Sequence, residues 1–223
     1  MNRWFPVSAC GEVAPNSVAH TQLLGQELVL WRAASGMLNA WENRCPHRGV
    51  RLSLGNCIGE ELRCQYHAWR FATGSGQCTH IPSHPGQKPA STMRPMVFPV
   101  FEDGAFAWVN LTPDAAMPVS AAEGPGLNLR SIFTVAAVAT VRQLLLQGYA
   151  ERAVNLVDEF TLEGAAGPPL GIRFMLQPVT QGQTIVHARL RGAIDAAQRL
   201  PLLRTHNARM TAVRDRAEAL SAC

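Results

Sequence analysis

One pair of short motifs limits this 223-residue chain more than any other feature. Cys45-Pro46-His47-Arg48-Gly49 is followed, after residues 50–63, by Cys64-Gln65-Tyr66-His67. Each motif holds one thiol and one imidazole, spaced as C-x-H and as C-x-x-H. Sulfur and nitrogen donors of this kind are ligands of soft and borderline metals. For the four to act together, two loop tips must meet over a rigid base. The chain therefore needs short, stiff elements that present loops.

Residues 1–112 read that way. Runs 22–32 and 37–41 flank Ala34-Ser35-Gly36, and runs 68–72 and 77–81 flank Thr73-Gly74-Ser75-Gly76, a hairpin signal. Runs 97–102 and 105–110 flank Asp103-Gly104, the strongest short turn signal in the chain. Residues 82–95 form a Pro/Ser/Gly loop. Strands this short and close predict a small all-β domain of antiparallel sheets, with both motifs on loops between strands.

Two thiolates and two imidazoles fit a Rieske [2Fe-2S] cluster, in which two histidines replace two cysteines on one iron. Cys45 and Cys64 are assigned to the first iron, His47 and His67 to the second. Neutral imidazoles make such a cluster less negative than four thiolates do, which raises its potential. Two competing readings stand beside this one. Two cysteines and two histidines also make a tetrahedral zinc site, although zinc motifs usually group like ligands. Coincidental spacing in a structural domain is the other.

On these residues, 1–112 resemble the Rieske domain of the Rieske non-haem iron oxygenases, whose halves are C-x-H-R-G and C-x-Y-H-G-W. Here Ala68 stands where the family has glycine, and Trp69 is expected beside the cluster or in the core. Val50 and Tyr66 occupy the positions that carry an extra disulfide in the respiratory Rieske class, and Ala68 the position of its serine. The resemblance therefore implies the oxygenase type, with a potential near the lower end of the range.

Oxygenase α subunits of this family carry a second domain with a mononuclear iron, marked by N-x-x-D-x-x-H-x-x-x-x-H. This chain has Asn155 and Asp158, but Thr161 and Ala166 in place of the histidines. The resemblance makes Asp158 a candidate electron bridge; the plain alternative is an exposed acid on a helix over 149–160. His187 is expected to face solvent, opposite Val186, Ala188 and Leu190, and His206 to pack on the apolar stripe of a terminal helix. A mononuclear Fe(II) is thus not expected on this chain.

The remaining organisation follows composition. Residues 113–130 read as a linker rich in Pro, Ala and Gly. Residues 131–223 read as a contracted, catalytic-like α+β domain. They open with β-branched and leucine-rich runs over 132–146. A strand pair, 171–178 and 184–190, follows around Thr180-Gln181-Gly182, and then a helix over 203–220 through Leu203, Met210, Val213, Ala217 and Leu220. The fold class is mainly β, α+β overall.

The formal net charge is only +4 and is spread along the chain, which argues against a nucleic-acid surface. No leader or membrane span is expected, so the cytoplasm is the expected location. Cys10, Cys57, Cys78 and Cys223 are then expected to be reduced thiols. Three functions fit. The first is a one-electron carrier served by a reductase or ferredoxin and passing its electron to an oxygenase subunit or a homo-oligomer. The second is an oxygenase subunit for a small aromatic or methylated substrate. The third is a non-catalytic structural relic.

Overall fold

A computed structural model describes residues 3–118, 122–167 and 170–221. Cys223 and positions 119–121 of the expected linker lie outside them. The chain divides into two compact units, Met1–Gln22 with Gln26–Ser120, and Leu23–Gly25 with Ala121–Cys223.

The first unit is built from eleven strands in chain order: β1 (Trp4–Ala9), β2 (Ser17–Leu23), β3 (Gln26–Arg32), β4 (Leu38–Glu42), β5 (Asn56–Ile58), β6 (Glu61–Arg63), β7 (Arg70–Ala72), β8 (Cys78–His80), β9 (Val97–Phe98), β10 (Val100–Glu102) and β11 (Phe106–Asn110). They form three sheets, ordered β1-β11-β10, β2-β3-β4-β9 and β5-β6-β7-β8. The expected hairpins are present, but a turn at Leu24-Gly25 breaks run 22–32, and run 97–102 splits into β9 and β10, which lie in different sheets. At Asp103-Gly104 the buried carboxylate accepts the N–H groups of Ala105 and Phe106 and, on its other oxygen, the Trp108 indole N–H at 2.7 Å. Gly104, at φ +91°, supplies the left-handed step that this turn needs.

Val29, Trp31, Trp41, Leu52, Leu62 and Phe71 form the core of this unit around Cys45 and Cys64. Each such large side chain contributes about 1.5–3 kcal/mol by leaving water. The five described cysteines are free thiols.

The second unit holds β12 (Gly126–Asn128), β13 (Ile132–Thr134), α1 (Val138–Gly148), β14 (Asn155–Asp158), β15 (Thr161–Gly167), β16 (Leu170–Thr180), β17 (Gln183–Arg191) and α2 (Ala196–Ser221). Its sheet runs β12-β17-β16-β15-β14, with β13 also paired to β17. Ile172, Phe174 and Leu176 of β16 and Val186, Ala188 and Leu190 of β17 share one face. That face packs against Val141, Leu144 and Leu145 of α1 and Met210, Val213 and Ala217 of α2.

Several expectations are corrected here. Within the expected linker, residues 126–128 are a strand, because pairing with β17 overrides their loop-like composition. The run 132–146 splits into β13 and the leucine-rich α1. The helix expected over 149–160 does not form. After α1 a single 3₁₀ turn (Ala150–Arg152) and Ala153, at φ +47°, redirect the chain into β14, which pairs with β15. The last helix begins at Ala196, seven residues ahead of the expected start at 203. Asp195 accepts the Gln198 N–H at 2.8 Å, a capping arrangement legible in Asp195-Ala196-Ala197-Gln198. Pro201, inside the helix, masks that start.

Candidate metal centre

Both motifs sit on loops, as expected. The first links β4 to a 3₁₀ turn (Leu52–Leu54); the second links β6 to β7. The two loops have the same backbone frame. In the first, the Gly49 N–H donates to the Cys45 carbonyl (2.8 Å) and the Cys45 N–H to the Val50 carbonyl (2.8 Å). In the second, the Ala68 N–H donates to the Cys64 carbonyl (3.1 Å) and the Cys64 N–H to the Trp69 carbonyl (2.9 Å). The residue four places after each cysteine is left-handed, Gly49 at φ +70° and Ala68 at φ +56°. Ala68 therefore holds a backbone state that costs a Cβ-bearing residue about 1–2 kcal/mol.

The four candidate ligands fall as two pairs. Cys45 and Cys64 are buried at the base, within hydrogen-bond reach of each other. Burial pushes the Cys45 thiol up to about 12, and Cys64 beside it adds to this; hydrogen bonds from the His47 and Arg48 backbone work the other way. Metal coordination is what turns such a thiol into a thiolate. His47 and His67 lie above, with ring centroids 4.6 Å apart. Partial desolvation, then the charges of His67 and Arg48, hold His47 below the usual histidine range, which favours the neutral, metal-binding imidazole.

This donor set fits the iron–sulfur group. A two-iron cluster wants sulfur donors on one metal and nitrogen donors on the other, and the side chains are sorted that way. A single zinc ion wants all four to converge on one tetrahedron. Among the described residues no three His, Cys, Asp or Glu side chains form a single-ion group.

Sequence reasoning missed two supports. Buried Asn43 accepts the Ser53 N–H (2.8 Å) and donates to the Ser53 hydroxyl (2.9 Å), closing the base of the first loop. A Cβ on Gly55 would run into the Arg63 carbonyl of β6, so the turn after the first loop lies directly on the strand that feeds the second. The signal for Gly55 was a glycine just ahead of a short strand, which reads equally well as an ordinary turn.

Among its described residues the second unit gathers no comparable set. Asp158 ends β14, not a helix, and its carboxylate accepts the Phe160 N–H at 2.8 Å, a turn-forming contact. Thr161 starts β15 opposite Met175, and Ala166 is buried in the hydrophobic core.

His187 is buried rather than solvent-facing, with only 2% of its surface exposed. Strand alternation gave its side correctly, but that side is covered too. The segment from Glu123 to Ser131 reaches across it, with Glu123 paired to Arg173, the Gly124 carbonyl accepting from Arg189, and the Ser131 hydroxyl 2.9 Å from His187 Nδ1. Gln177 Oε1 lies 2.8 Å from Nε2, and burial pushes the imidazole down to about 4. His206 is a packing residue, more deeply buried than expected and stacked on Tyr149; burial, helped by the charges of Arg209 and Arg152, pushes it down to about 4.

Comparison with known proteins bears on both units. Residues 3–96 match the family described as the Rieske [2Fe-2S] domain. The chain is 39% identical over 183 residues to the Oxidoreductase NdmD of Pseudomonas putida, covering 79% of this chain and 30% of that protein. It is 35% identical over 108 residues to the oxygenase component of dicamba O-demethylase from Stenotrophomonas maltophilia, covering 48% of this chain and 31% of that one. The chain thus spans about a third of these relatives' length. In fold it is similar to the crystal structure of apo dicamba monooxygenase, with a TM-score of 0.78 at 21% identity over 99% of this chain and 86% of the other.

Proposed function

We propose that this chain, whose residues 3–96 match the Rieske [2Fe-2S] domain, works as a one-electron carrier of the Rieske non-haem iron oxygenase type. Cys45 and Cys64 hold one iron and His47 and His67 the other. The sorting of the thiols and imidazoles into two pairs on matched loops carries this reading. Bound there, a Rieske-type cluster takes up and releases one electron at a potential of roughly −150 to +300 mV.

The residues divide the work. The core around Trp31, Trp41 and Phe71 excludes water from the cysteine side. His67 is exposed and gives a partner the shortest approach. The electron comes from a reductase or ferredoxin and leaves to an oxygenase component or another copy of the chain. At positions 155–166 a hairpin carrying Thr161 and Ala166 replaces histidine ligands, so a mononuclear iron on this chain is not part of the reading. Among the described residues no helix is long and apolar enough to cross a membrane; a cytoplasmic place goes with this function.

The test is iron and acid-labile sulfide analysis with electron paramagnetic resonance on one reduced sample. About two irons and two sulfides per chain, with a Rieske-type signal, are expected. Three irons would favour a complete oxygenase subunit. Zinc without sulfide would overturn the proposal.

A further inference from the structure

We propose that Trp69 is a positioning residue, a clamp from the second loop that fixes the ring plane of His47 on the first and makes the two histidines unequal. This rests on the reading of His47 and His67 as cluster ligands.

The Trp69 indole lies flat on the His47 imidazole, with centroids 4.4 Å apart and planes within 6°. The indole cannot easily move away. Its backbone carbonyl is tied to the Cys64 N–H, the residue before it is the left-handed Ala68, and its ring packs against the core that encloses both cysteines. The contact therefore joins the loops side chain to side chain, above the buried cysteines.

His67 meets the His47 ring edge-on at 4.6 Å, but among the described residues no ring from the opposite loop lies flat on it. The Tyr66 ring next to it stands 3.9 Å away and is tilted by 41°. Tyr66 is its chain neighbour and is 62% exposed, so it does not hold the His67 ring against the core. His67 is exposed and His47 half-buried.

The consequence follows from ligand chemistry. The lone pair of an imidazole nitrogen lies in the ring plane, so a fixed plane fixes its overlap with the metal. Contacts outside the ligand set orient ligands and tune the site in this way. Trp69 thus holds His47 rigid and shields one face of it from water. His67 is left as the adjustable, solvated ligand on the partner-facing side.

The experiment uses the full chain with its cluster, comparing Trp69→Leu, which keeps apolar bulk without a plane, with Trp69→Phe, which keeps a plane. Pulsed electron paramagnetic resonance on the reduced protein resolves the nitrogen couplings of the two histidines. The expected result is that Trp69→Leu shifts one coupling beyond its linewidth, leaves the other within it, and moves the reduction potential. Trp69→Phe should leave both couplings near the parent values. Loss of the cluster with Leu but retention with Phe supports the same conclusion. Unchanged couplings with Leu, or Phe as defective as Leu, overturn it. A parent protein without an iron–sulfide cluster would instead overturn the ligand reading itself.

Discussion

Loop 45–50 and loop 64–69 close with the same two hydrogen bonds and the same left-handed step, yet the histidine follows its cysteine by two residues in one and by three in the other. The backbone frame therefore sets where each thiol sits. It does not set where each imidazole sits, because the turn has room for a ligand at either step. The difference goes to the ring partners. His47 lies under a tryptophan from the opposite loop, while His67 has its own neighbour, Tyr66, and the edge-on contact with His47. Equal frames make the cysteines equivalent; unequal partners make the histidines distinct.

The largest expected effect tests the equivalence. Cys45→Ser and Cys64→Ser should each reduce bound iron and labile sulfide to background, because in the proposed cluster both thiols serve the same iron. Metal analysis of purified protein measures this, and a cluster retained in only one of the variants would break the pairing.

Next comes the contrast between the proposed ligand histidines and the two buried in the second unit. His187 and His206 are held neutral in the fold, with pKa values of about 4 against 6.5 for the unfolded chain. Their contribution to stability is fully present above about pH 6.5. It is lost as pH falls from there to about 4, because the unfolded chain takes up the protons first. The loss is on the order of 3 kcal/mol at most for each. Both α-helices lie in the second unit, and all five tryptophans lie in the first. Denaturation followed by helical circular dichroism should weaken with acid over this window. A denaturation midpoint that does not move between pH 7 and 4.5 would mean the two imidazoles are not enclosed.

Gly55→Ala tests whether the loops share a base. The added methyl meets the Arg63 carbonyl, and overpacking of this kind costs about 1–3 kcal/mol. Tryptophan fluorescence should report the loss in the first unit, and an unaltered transition midpoint would separate the two loops mechanically.

The smallest effects have opposite signs in the two loops. Ala68→Gly should stabilise by about 1 kcal/mol, since it removes a Cβ from a left-handed position. Gly49→Ala should destabilise by a similar amount, because a Cβ there meets no neighbour and only the backbone state is penalised. The same thermal-unfolding measurement on both variants would show whether the frames are as alike as their hydrogen bonds.

Much of the first unit was legible. Turn residues such as Thr73-Gly74-Ser75-Gly76 and Asp103-Gly104 act on their chain neighbours, so the hairpins they close could be read off directly. The second unit was less legible. Leucine-rich α1 and the β-branched start of β13 run together in composition, and β12 looks like linker until β17 pairs with it. The four donors were named by spacing, whereas the Asn43 clamp and the Gly55 contact involve groups that carry no motif.

His47 and His187 mark where the boundary lies. Spacing alone made His47 a candidate metal ligand, because its partners in the motif are adjacent in the chain and the chemistry of thiol and imidazole does not depend on the fold. Alternation also placed His187 on the correct face of its strand. What sequence could not decide was that residues 123–131 cover that face, that an indole from the opposite loop lies flat on His47, or that Ala68 takes up a left-handed turn. Donor identity and strand phase are properties of neighbours along the chain. Coverage, stacking and strain are set by segments that meet only after folding, and the tertiary structure alone decided them.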